Sequence, residues 1–147
     1  MKKWLKIGIG VVLAAAAGFV AHMHVVAQTY YPSLRVQAPE GLMYVVVQDE
    51  RGERRECGAA NERFLARIKQ GCKDCRILAA RCTRELEEPL ERDLSKATPV
   101  KHATIVAPGM RMAIVGPQPL ADKSCELIAA AAQKQGATPT ACRRAAL

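Results

Sequence analysis

All six cysteines of this chain lie downstream of a long, uncharged apolar run, and that order limits what the chain can fold into. Lys2, Lys3 and Lys6 precede residues 7–27, which carry no formally charged side chain. At about 1.5 Å per residue, a helix of this length spans roughly 30 Å, the thickness of a bilayer hydrocarbon core. The lysines favour the cytoplasmic side, so the cysteine-bearing part is expected outside the cytosol, where disulfides form and persist. The expected organisation is a cytoplasmic basic tail (1–6), a single transmembrane helix in an inner membrane (7–27), a stiff Pro-containing linker (28–41) and a periplasmic domain (42–147). The same segment also fits a cleavable signal peptide, with Val25 and Ala27 as small residues before a cut. An apolar run of this length favours a retained anchor.

The domain reads as α+β: a small antiparallel or mixed sheet with three helices on one face, stapled by disulfides. Residues 42–48 form a β-branched run and the clearest strand. Asp49, Glu50, Arg51 and Gly52 offer a turn, and residues 53–57 a polar return strand at the sheet edge. Ala60, Phe64 and Ile68 recur every four residues, so 59–70 is expected to be helical and to end at Gly71. Cys75, Leu78, Cys82 and Leu86 recur at three or four residues, which points to a second helix capped by Asp74 and stopped by Pro89. Two apolar runs, 102–107 and 111–115, flank Pro108-Gly109, a type II turn pair that suits a loose join. A last helix is expected over 120–135, with Cys125, Ile128 and Ala132 on one face. No internal repeat is visible in the sequence.

An even set of cysteines in a small exported domain implies a disulfide framework, and six cysteines allow 15 complete pairings. Cys125 in the last helix and Cys142 in the tail are expected to pair once the tail folds back. Cys57, Cys72, Cys75 and Cys82 then form two more bonds of open connectivity. If Cys75 and Cys82 share a helix, their Cα atoms are about 10.5 Å apart, too far for a bond. Two other chemistries fit these four residues. Cys72-Lys73-Asp74-Cys75 at a helix N-terminus is a candidate redox dithiol, its thiolate favoured by the dipole, Lys73 and Arg76. Cys57, Cys72, Cys75 and Cys82 are also a candidate four-thiolate metal set. Arg76 stands where covalent haem attachment needs histidine.

Other constellations carry less. The carboxylates Asp49, Glu50, Glu53 and Glu56, and Glu85, Glu87, Glu88, Glu91 and Asp93, are interleaved with arginine as solvated faces are, and lack calcium-loop spacing. Ser33, Ser95, Ser124 and His102 stand in no nucleophile pattern, and His22 and His24 point in different directions on their helix. No cofactor is implied. The net charge of +8 is not organised with aromatic platforms, which argues against nucleic acid as a partner. The sequence therefore points to a non-enzymatic, membrane-tethered periplasmic subunit, structural or interacting, of a cell-envelope assembly. Its expected partners are the lipid bilayer and an envelope protein. A membrane-anchored thiol–disulfide oxidoreductase using Cys72 and Cys75, and a secreted ligand- or glycan-binding module, are the competing readings.

Overall fold

The computed structural model describes residues 29–96, 103–107, 109–134 and 142–143. The anchor expected over 7–27 lies outside these residues, as does His102. No helix among the described residues is long and apolar enough to cross a membrane.

Among the described residues, six strands form one sheet in which every pairing is antiparallel. The chain runs β1 (Tyr31–Gln37), β2 (Met43–Gln48), α1 (Arg54–Gly71), β3 (Arg76–Thr83), α2 (Pro89–Ser95), β4 (Ala103–Ala107), β5 (Met110–Val115), α3 (Gln118–Lys134) and β6 (Cys142–Arg143). The spatial order is β3-β1-β2-β5-β4-β6. This is an α+β fold with three helices and three disulfides.

Several sequence expectations give way here. The linker of 28–41 is largely β1, an interior strand between β2 and β3. Its two prolines hide a clear alternation: Leu34 and Val36 face one side of the sheet, Ser33 and Arg35 the other. Pro32 is tolerated because it lies at the strand's start, where β3 pairs with it but the β2 ladder begins only at Ser33↔Val47. The hairpin to β2 closes through Pro39, Glu40 and Gly41, with Ala38 N–H donating to Leu42 O at 2.8 Å. Gly41 takes φ +90°, the positive-φ residue that a three-residue hairpin loop requires.

The return strand expected over 53–57 is the first turn of α1. Glu53, in extended conformation, precedes it, and the Cys57 N–H donates to the Glu53 carbonyl. Arg54, Arg55 and Glu56 are exposed, so apolar periodicity does not announce this turn. The helix expected from Asp74 is β3. Its three-to-four-residue recurrence is coincidental: Ile77 opposes Val36, Ala80 opposes Leu34 and Cys82 opposes Pro32, while a register shift between Arg35 and Val36 leaves Leu78 exposed. Pairing along the whole of β1 outweighs a weak local helix preference. The join between β4 and β5 is tight rather than loose, since Ala107 and Met110 are register partners and Gly109 takes φ +81°.

The helices lie on both faces, not one. α1 and α3 cover the face formed by Leu34, Val46, Ile105, Met112 and Ile114. On the other, α2 seals Val45, Val47 and Ala113 beneath Leu94, with Leu86 and Leu90. Arg35 reaches from the sheet to Glu88 (3.6 Å) and the buried Glu91 (3.4 Å), and Arg111 donates to the Ser95 carbonyl at 2.6 Å. At the end of β5, a Cβ on Gly116 would stand 2.6 Å from Leu42 Cδ2, so only glycine fits beside the buried hairpin residue.

An internal repeat, invisible in the residues, organises the sheet. β1-β2-α1-β3 and β4-β5-α3-β6 follow the same path: hairpin, helix, and a third strand returning beside the first. In each unit a disulfide ties the helix to the third strand, Cys57–Cys82 in one and Cys125–Cys142 in the other. The units meet where β2 pairs with β5 at the centre.

Candidate functional site

Among the described residues, the two helices on the first face leave the middle of the sheet uncovered. Six strands at about 4.8 Å spacing are wider than two helices of about 10 Å diameter can roof. α1 packs on β1 and β3, and α3 on β4 and β5, so the valley between them runs along β2. α3 has little with which to fill it: beside the buried Ala121, Cys125 and Ala129 it presents Ile128 and small residues such as Ser124.

The result is an apolar cleft of about 430 Å³. Val36, Val46 and Met112 form its floor, Phe64 and Ile68 of α1 and Ile128 of α3 its walls. Tyr44 spans the valley and its hydroxyl meets the Ser124 hydroxyl at 2.8 Å. Its volume falls within the range of small-molecule sites. Two exposed leucines lie on α3 outside the cleft. Leu120 and Leu127 share a helix stripe with Ser124, being four residues before and three after it. Their side chains are exposed, Leu120 at 42% and Leu127 at 63%.

The Cys72–Cys75 disulfide closes one end of the cleft, with Glu40 at the rim. This pair follows the C-terminus of α1, where the Cys72 N–H donates to the Ile68 carbonyl, and it leads into β3. The helix dipole therefore presents its negative end to the sulfurs, opposite to the N-terminal placement that the redox reading requires. The four sulfurs of the candidate metal set are consumed in Cys57–Cys82 and Cys72–Cys75, so they offer no thiolate for a metal. Cys82 lies in β3 and Cys75 one residue before that strand, so the two do not share a helix. The acidic groups are scattered: Glu50 accepts from the Tyr31 hydroxyl at 3.2 Å, and Glu88 and Glu91 serve Arg35. Ser124 contacts Tyr44, Ser95 donates to the Arg92 carbonyl and Ser33 is buried in β1.

At the other end, the valley becomes cationic. Gln48, Arg51, Ala60, Arg63, Phe64 and Arg67 enclose a recess of about 110 Å³. Phe64 is common to both, a single ring dividing the apolar cleft from the arginine recess. Arg63 and Arg67 stand one turn apart on α1, and Arg51 is held by backbone pairing with Tyr30. The Arg51 Nε is buried without a hydrogen-bond partner. The ion pairs among the described residues belong to Arg35, so none of these three guanidinium groups is ion-paired with a described residue.

Sequence reasoning singled out Cys72 and Cys75, which end the cleft, but not the trough itself. Phe64, Ile68 and Ile128 are legible as core-facing positions, but nothing local says that they face a void. The like-charged Arg63/Arg67 pair at i, i+4 is the one readable signal, since such spacing is unfavourable without a counter-ion. Compared with known proteins, the chain matches no family model, no curated protein and no solved structure.

Proposed function

We propose that the chain is a non-enzymatic binding subunit of the cell envelope, tethered to the inner membrane through residues 7–27, with its disulfide-stapled domain in the periplasm. The observation that carries this reading is the unfilled apolar cleft along β2. A small domain gains stability by filling such space, and an open cleft forgoes that gain. A bound apolar group would recover it. The repeat architecture and the Cys57–Cys82 and Cys125–Cys142 bonds hold both walls against the sheet, so the cleft is preformed rather than opened by its ligand. Only residues 28–30 would separate the anchor from β1, which keeps the domain close to the bilayer surface.

For the oxidoreductase alternative, the Cys72–Cys75 bond is the pairing it requires, but the two cysteines follow a helix instead of opening one. The test is photolabelling of the full chain in zwitterionic nanodiscs with dodecanol carrying a diazirine at its chain terminus. Labelling concentrated on Phe64, Ile68 and Ile128 is expected. Labels confined to the anchor, or spread evenly over the domain surface, would refute the reading.

A further inference from the structure

The geometry points to a single-chain anionic amphiphile as the ligand, its hydrocarbon tail in the apolar cleft and its oxyanion head, a phosphate or carboxylate, between Arg51, Arg63 and Arg67. This rests on the binding role proposed above and specifies the ligand that role implies. Three observations converge on it. The cleft and the arginine recess share Phe64, so they adjoin, and a tail in one lies beside a head in the other. The cleft is apolar along its floor and walls, which suits a hydrocarbon chain and gives a sugar or peptide backbone few partners.

The residues lining the recess include three positive groups and no negative one. Arg63 and Arg67 repel each other one turn apart, and Arg51 closes the third side. The recess measures about 110 Å³, the scale of a compact oxyanion. Each guanidinium around it can offer such a group paired N–H donors.

Neutral chains lack the head, and free phosphate lacks the tail; the occupant has both. The recess also lies at the end of the sheet where residue 30 pairs with Arg51, the end nearest the proposed anchor.

The test uses the full chain in zwitterionic nanodiscs with three probes: diazirine-bearing dodecyl phosphate, diazirine-bearing dodecanol and inorganic phosphate. Dodecyl phosphate, its diazirine at the chain terminus, should label Ile68 and Ile128 at concentrations at least tenfold lower than dodecanol. R51Q/R63Q/R67Q should remove that advantage while dodecanol labelling stays unchanged, which also shows that the variant is folded. Equal labelling by both probes, or an advantage that survives the triple substitution, would overturn the head-group assignment and leave the cleft reading standing. Labelling by neither probe would overturn the cleft reading itself. Protection of the three arginines from phenylglyoxal by inorganic phosphate, as complete as by dodecyl phosphate at equal concentration, would identify a free oxyanion as the occupant and refute the amphiphile.

Discussion

Replacing Cys57 and Cys82 together by alanine should destabilise the domain far more than replacing Cys72 and Cys75. The Cys57–Cys82 bond closes a loop of 25 residues and the Cys72–Cys75 bond one of 3. On the loop-closure relation these constrain the unfolded chain by about 3.5 and about 1.6 kcal/mol respectively. Burial adds to the contrast. Cys57 is fully buried between α1 and the sheet, so its loss also leaves a small void, whereas Cys72 and Cys75 are part-exposed. Pulse proteolysis of the membrane-reconstituted full chain across a urea series reads the folded fraction directly. With a urea slope of about 1–3 kcal/mol/M, C57A/C82A should lower the midpoint by about 1–3 M, and C72A/C75A by about half as much. Equal shifts would refute the argument that loop length and burial rank these bonds. A larger shift for C72A/C75A would mean that the short bond holds the fold.

Three further outcomes follow from single contacts. Arg35→Met leaves the buried Glu91 carboxylate without its close cationic partner. It should cost about 3 kcal/mol at neutral pH, whereas R35M/E91L should recover most of that in the same urea series. Gly116→Ala drives a methyl group against Leu42. The clash should cost about 1–3 kcal/mol, with Leu42→Ala in the same chain relieving part of it. Burial first, then the hydrogen bond and charge of Glu50, hold the Tyr31 hydroxyl above its ordinary value of 10.0. The folded state therefore keeps this proton longer than the unfolded chain does. That contribution is complete below pH 10.0 and is lost as pH rises through the raised value, so Tyr31→Phe should flatten the decline of stability in alkali.

How far the sequence could be read depended on where each element finds its hydrogen bonds. α1 and α3 were legible because a helix satisfies its backbone within itself and its apolar stripe repeats at a fixed period. β2, β4 and β5 were legible as dense apolar runs. β1 was not, because Pro32 and Pro39 outweighed the short Leu34/Val36 alternation. β3 was misread because its apolar spacing imitates a helix, and only pairing with β1 along the sheet decides between the two. The charged first turn of α1 carries no apolar period at all.

Residue types alone made a disulfide-stapled α+β domain the expectation: an even cysteine set, two amphipathic helices and several β-branched runs. Which face each helix takes, the hidden two-unit repeat and the trough along β2 belong to the tertiary structure. The reason is geometric. A cavity is the space that side chains from separate elements fail to fill, and the width of a six-stranded sheet against two helices cannot be read from any local stretch of chain. The arginine recess follows the same rule, since Arg51 joins Arg63 and Arg67 only when the turn after β2 folds against α1.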